Sequence, residues 1–406
     1  MPAKGAISVS RTPRYDVVVV GAGVIGLVTA WRTAQRGLGV AVADPAPASG
    51  TTHVSAGMLT PVTEAAYGEE ELLTFTLASH RRWPAFAAEL ERTTGLPSGY
   101  RARGTLEVAF DGDDMAVLDE LLEFRRGLGL EVERLTGREI RRLEPMLAPS
   151  VRGGLHAPDD GSADPRLLTR ALMAASEQAG VAFVRRRVVE VTTEAGTATG
   201  VRLAAGGQDT GLTGNGDTAR PEPDTGEELA AEKVVLAAGV GTAALAGLPV
   251  RAVKGQILRL RTPVEFVTRT IRGLVRGTPV YVVPRDDGEI ALGATQEDLA
   301  DTRVTAGGVW QLLRDAHDLL PGITELELAE TAAGLRPCAP DNFPVLGASS
   351  IPGLYAATGH FRHGVLLAPA TGEVMAEALV TGRLPESAAC FAADRFPIRQ
   401  EERTCG

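Results

Sequence analysis

The stretch that most restricts the fold runs from Tyr15 to Asp44. Tyr15–Val20 reads YDVVVV, a continuous β-branched run suited to a strand buried on both faces. It leads into Gly21-Ala22-Gly23-Val24-Ile25-Gly26, and LVTAWRTAQRG follows as a helix closed by Gly37. A second strand, GVAVAD, ends at Asp44. This is one βαβ unit with G-x-G-x-x-G in the setting the motif requires and an acid at the tip of the second strand. Gly21 permits the tight turn, Gly23 admits a pyrophosphate close to the backbone, and Gly26 lets helix and strand approach. The free N–H groups and positive end of the helix would meet the phosphates, and Asp44 would accept from a ribose hydroxyl. The unit predicts a dinucleotide site. The alternative is a tight strand–helix turn in an unrelated α/β protein.

The whole chain is large enough to surround such a site. Its 406 residues are 44% hydrophobic and 23% charged, a globular balance that allows two domains or one elaborated domain. A formal net charge of −10 argues against a nucleic-acid partner, because neutralising phosphates takes a basic surface. Cys338, Cys390 and Cys405 form no C-x-x-C pair, and the polar opening MPAKGAISVSRTPR lacks the apolar centre of a signal peptide. A cytoplasmic protein is expected, without a membrane span, since no apolar run reaches the required length.

Further along, Asp164-Pro165 should open a helix reaching about Gly180, with Pro165 suited to its first turn. VAFVRRRVVEV and KVVLAAG (233–239) read as strands of the first sheet. Residues 204–232 are rich in Gly, Asp, Glu, Thr and Pro and nearly lack large apolar side chains, so a flexible insertion is expected there. Residues 84–149 are helix-rich and charged, with RGTLEVAF as a strand. Residues 251–303 alternate as strands through QILRL, YVVP and EIALGAT. FPVLG and LYAATGHFRHG return to strand-like runs, and a helix should follow from about Pro369 to Leu379. The expected organisation is a tail at 1–13, a nucleotide domain from 14–83, 150–250 and 328–388, a substrate domain from 84–149 and 251–327, and a tail at 389–406.

These motifs carry a resemblance. VVVVGAGVIGL, TTHVSAGML (51–59), VKGQ, YVVPR, GAT, GLRP and GHFRHGVLLAPATG, in that order, resemble the glycine oxidase branch of the D-amino acid oxidase family. These are FAD-dependent amine oxidases, and this branch supplies the thiazole arm of thiamine biosynthesis. The likeness spans nearly the whole chain; the insertion and the N-terminal tail depart from it. It implies an α/β chain, α+β overall: a Rossmann-type FAD-binding domain with an inserted mixed or antiparallel-sheet substrate domain. It also implies noncovalent FAD, a homo-oligomer (a tetramer) and a hand-off to thiazole synthase.

Residue by residue, the resemblance places FAD against Val24, Ile25, Asp44 and Pro45, beside Gly21, Gly23 and Gly26. Thr51, Thr52, Ala56, Gly57 and Met58 would wrap the pyrophosphate and flavin, and Val188 would meet the adenine. His360, Phe361, Arg362, His363, Gly364, Val365 and Leu366 would lie along the flavin ring. Pro369 suits a helix start, so the loop before it should leave N–H groups near a positive helix end, where negative charge on a reduced flavin is stabilised. The substrate carboxylate is assigned to Arg336, assisted by Arg362 and the hydroxyl of Tyr281. Each could instead be structural, the arginines paired with carboxylates and the tyrosine a core aromatic. His360 and His363 lack a third ligand at a suitable spacing, so no metal is expected.

The reaction implied is oxidative deamination of glycine. Hydride passes to flavin N5, giving an imine and then glyoxylate and ammonia, while oxygen returns as peroxide. Related oxidases or dehydrogenases of sarcosine or small D-amino acids are the alternative. One methylene separates such substrates by only roughly 1–3 kcal/mol. A noncatalytic FAD-binding subunit would need neither the arginines nor the tyrosine.

Overall fold

The computed structural model describes residues 14–205 and 226–396. The expected tail at 1–13, residues 206–225 of the expected insertion and residues from 397 onward lie outside the described residues. The first sheet forms around Tyr15–Val20, whose last four valines are almost fully buried. It pairs in parallel with Val40–Ala43 on one side and Glu228–Leu236 on the other. Ala182–Val184 and Leu354–Thr358 extend the parallel core, and Val345–Ala348 closes one edge antiparallel. Four helices supply one apolar layer against this sheet: Val24–Gln35, Glu70–Thr94, Pro165–Gln178 and Ala368–Thr381. Asp164 caps the third of these, accepting from Arg166 N (2.8 Å) and Leu167 N (3.2 Å) ahead of Pro165.

The second sheet runs in the order Glu327–Cys338, Arg251–Arg261, Glu289–Gly293, Thr278–Pro284, Thr270–Val275, Thr105–Ala109, Gly153–Ala157, Glu133–Thr136. It is mixed, because Thr270–Val275 and Thr105–Ala109 run parallel while their neighbours are antiparallel. The mixed α/β class and both sheets match the expectation.

The boundaries differ in five places, each for a packing reason. The helix Glu70–Thr94 passes through the expected break at 84 and buries Leu72, Phe75, Trp83, Phe86 and Leu90 in the first core. Gly153–Ala157 and residues 328–338 of the strand Glu327–Cys338, expected in the nucleotide domain, pair within the second sheet. Residues 228–231, expected within the flexible insertion, begin a strand, and Glu228, Leu229 and Ala230 pair with Thr197–Leu203. Residues 389–396, expected as a tail, carry Phe391 and Ala393, both fully buried in the core.

Candidate active site

A cavity of about 1120 Å³ runs from the glycine-rich turn to the face of the second sheet. At its nucleotide end lie Gly21, Gly23, Val24, Ile25, Asp44 and Pro45. Gly21 has φ +104°, and a Cβ on Gly26 would fall 1.9 Å from Gly21 O, so helix and turn meet with no room for a side chain. Val24 N donates to Thr52 Oγ1 (3.2 Å), whereas among the described residues nothing accepts from the N–H groups of Gly23, Ile25 or Gly26. Asp44 differs from expectation in part. Its carboxylate already accepts from Ala22 N (2.7 Å) and Ala46 N (2.8 Å), bracing the turn and leaving further lone pairs for a sugar hydroxyl.

Thr51, Thr52, Ala56, Gly57, Met58 and Val188 also line the cavity. Thr51 Oγ1 donates to Leu335 O (2.7 Å), tying this segment to the strand that carries Arg336. Gly57 has φ +70°, and a Cβ there would sit 1.9 Å from Ala163 O.

His360, Phe361, Arg362, Gly364 and Val365 border the cavity; Gly26, His363 and Leu366 do not line it. Phe361 N donates to Pro337 O (2.9 Å), with Phe361 in the left-handed region at φ +48°. Leu366 O accepts from Ser79 Oγ (2.8 Å) and Trp83 Nε1 (3.0 Å). The N–H groups of Gly364, Val365 and Leu366 meet no acceptor among the described residues, and the helix starts at Ala368 with Pro369 in its first turn. The loop therefore holds donors without a protein acceptor among the described residues, beside a positive helix end.

His360 is buried with Nε2 3.0 Å from Thr371 Oγ1, and burial, reinforced by neighbouring His363, pushes its pKa down to about 3. It is a neutral hydrogen-bonded ring. His363 is buried with Nδ1 3.3 Å from Glu64 Oε2. Among the described residues no group of three or more His, Cys, Asp or Glu could hold a metal ion.

At the far end, Arg336 and Tyr281 share the wall. Arg336 Nη1 is 3.3 Å from both Lys254 O and Thr295 O, and no carboxylate among the described residues lies within 4 Å of its guanidinium. Tyr281 lies against Gly293, where a Cβ would fall 2.4 Å from Oη. Burial raises the Tyr281 phenol above its ordinary value, against the opposing pull of the Arg336 guanidinium. Arg362 also borders the cavity, but it is exposed and its Nη2 is 3.6 Å from Glu69 Oε2. The structure thus unites Arg336 and Tyr281 closely and leaves Arg362 with a carboxylate of its own. Cys338 is buried, with its thiol 3.2 Å from Asn342 Oδ1, and is not part of the cavity wall.

Sequence reasoning missed a charged row beyond Tyr281: Glu64, Arg272, Glu107 and Arg125. Arg272 Nη1 bonds Glu64 Oε1 (2.8 Å), and Arg125 pairs with Glu107. Burial works to raise the Glu64 carboxyl, but Arg272 and His363 outweigh it and hold the group well below the usual carboxylate range. No spacing motif marks these residues, since they converge from separate strands, a helix and a loop.

The cavity fits a flavin dinucleotide. Free helix N-terminal donors at one end suit phosphates, and free loop donors in the middle suit an electron-rich ring edge. An unpaired guanidinium at the other end suits an anionic substrate.

The comparisons agree. The family model described as FAD dependent oxidoreductase matches residues 16–378. A glycine oxidase of Geobacillus kaustophilus is 33% identical over 375 residues, covering 90% of this chain and 93% of that protein. The bifunctional protein ThiO/ThiG of Trichormus variabilis is 31% identical over 392 residues, 94% of this chain; the chain spans only 55% of that relative's length. The crystal structure of the Geobacillus kaustophilus glycine oxidase superposes with a TM-score of 0.82 at 32% identity, covering 94% of this chain and 99% of that one. The chain therefore belongs to the FAD dependent oxidoreductase family, within its glycine oxidase branch.

Proposed function

We propose that this protein is a cytoplasmic amino acid oxidase that deaminates glycine and passes the product toward thiazole formation. The observation that carries the reading is Arg336, a guanidinium on the wall of the cofactor cavity that bonds two backbone carbonyls, lies beside the Tyr281 hydroxyl and, among the described residues, faces no carboxylate. An amino acid carboxylate completes its coordination with two parallel hydrogen bonds, which fix the reacting carbon as well as neutralise charge. The Tyr281 hydroxyl, kept protonated by burial, adds a neutral donor beside that carboxylate. Bound FAD would supply the two-electron acceptor. Gly21, Gly23, Val24, Ile25 and Asp44 would hold its nucleotide end, and the backbone of Gly364 to Leu366 would stabilise negative charge at its ring. Met58 and the sheet face would exclude water. The bifunctional ThiO/ThiG relatives support a hand-off to a thiazole-forming partner.

The test is a peroxide and oxygen-uptake assay with glycine, sarcosine and small D-amino acids. Turnover of glycine with peroxide release is expected. Dye reduction without peroxide would mark a dehydrogenase. Arg336→Ala should retain FAD and lose two to four decades of kcat/KM, because an unpaired buried charge costs about 3–5 kcal/mol. Wild-type kinetics in that variant would remove the carboxylate assignment.

A further inference from the structure

The motif VKGQ, Val253 to Gln256, contributes only Gly255 to the cavity wall, yet it lies directly behind Arg336. The guanidinium rests flat over Gly255, where a Cβ would fall 2.3 Å from Nη2. Its two acceptors, Lys254 O and Thr295 O, belong to different segments, the strand Arg251–Arg261 and the stretch after Gly293. The direction of Arg336 therefore depends on how those segments are held together.

The side chains of the motif hold them. Lys254 is 1% exposed, with Nζ 2.9 Å from Asp301 Oδ1 and 3.6 Å from Glu297 Oε2. Gln256 N donates to Thr295 Oγ1 (2.9 Å), and Gln256 Nε2 donates to Glu297 Oε1 (2.7 Å). The Thr295 hydroxyl donates to that same Glu297 oxygen (2.5 Å). The backbones of Lys254 and Glu297 exchange hydrogen bonds of 2.9 and 3.0 Å. A buried ammonium is a poor source of net stability, since desolvation takes several kcal/mol per ion and an apolar side chain could fill the same space. What the ion pairs add is a fixed separation between two strips of backbone.

We propose that Lys254 is a positioning residue for substrate binding: it clamps the 295–301 segment onto its own strand and so holds the two carbonyls that aim Arg336 into the cavity. This rests on Arg336 being the carboxylate ligand. Loss of the clamp weakens recognition of a carboxylate and spares both the cofactor and the chemical step.

The experiment compares holoenzymes: wild type, Lys254→Met, Lys254→Arg and Gly255→Ala, with glycine as substrate and acetate as a competitive carboxylate probe. In Lys254→Met, KM for glycine and the acetate Ki rise together by about tenfold or more, while kcat stays within about threefold. FAD content and the visible spectrum stay unchanged, and Lys254→Arg recovers most of the affinity. Unchanged KM and Ki, a loss confined to kcat, or an equal defect in Lys254→Arg overturns the proposal. Gly255→Ala separates the levels, because its methyl displaces the guanidinium itself. If Gly255→Ala also leaves KM and Ki unchanged, the reading of Arg336 falls. If it raises them while Lys254→Met does not, only the role of Lys254 falls. Should Lys254→Met not accumulate as holoenzyme, Asp301→Asn must shift KM and Ki in the same direction by about twofold to fivefold; no shift overturns the proposal.

Discussion

Gly26 shows how far a single residue can be read. The motif assigns it to close packing, and a side chain there would collide with the backbone oxygen of Gly21 at 1.9 Å. A carbonyl within a buried turn has nowhere to move, so Gly26→Ala must push the helix off the sheet. We expect loss of at least roughly 1–3 kcal/mol of stability and a colourless preparation. The check is FAD content after purification with a thermal midpoint; a yellow, wild-type-like protein would refute it. Asp44 was legible as a tip acid but not as a brace, since its bonds to Ala22 N and Ala46 N depend on local turn geometry. His360 and His363 stand in the motif as possible titrating groups, since histidine titrates near neutrality. Burial cancelled that for His360, and burial is a property of the fold, invisible in a short motif.

Among elements, strands were recognised more faithfully than domain edges. Alternating and β-branched runs announce strands locally, whereas membership of a sheet depends on which distant run becomes the neighbour. The helix Glu70–Thr94 shows the difference. The expected boundary at 84 divides it, but its apolar stripe runs through that point and buries Trp83 and Phe86 together in the first core. The same stripe supports the loop that precedes the helix Ala368–Thr381. Trp83 Nε1 and Ser79 Oγ are the donors to Leu366 O, and Ser79 Oγ also accepts from Ala370 N (3.3 Å). Replacing Trp83 with Phe keeps most of the packing and removes one of two donors from a buried carbonyl, a change of about 0.5–1.5 kcal/mol. The loop then loosens, and FAD dissociation should quicken several-fold with little change in KM for substrate. Stopped-flow fluorescence of released FAD measures this, and an unchanged rate would separate the helix from the loop.

Across the whole molecule, two buried groups oppose each other with pH. His360 is neutral in the fold with its pKa lowered from 6.5 to about 3, so its contribution to stability is present above pH 6.5 and lost as pH falls toward 3. Asp160 behaves oppositely. It is buried where Val62 N, Thr63 N and Thr63 Oγ1 donate to it, and burial outweighs those bonds, raising its pKa from 3.8 to about 7. Because its folded pKa lies above the unfolded value, its favourable contribution is complete below pH 3.8 and is lost as pH rises through 7. Each group changes stability by at most about 1.4 kcal/mol per pH unit, so the two slopes largely cancel between pH 4 and 6.5. This pair should therefore add little net pH dependence there, and removing one member should expose the slope of the other. Asp160→Asn keeps the shape and removes one slope. Its stability relative to wild type should increase from pH 4 to 7 and then level off, whatever constant offset the lost hydrogen bonds add. Denaturant midpoints of both proteins at pH 5.5 and 8 decide the matter. A difference that is the same at both values would mean that Asp160 stays ionised throughout and that the loop carrying Glu64 is clamped by a charged carboxylate.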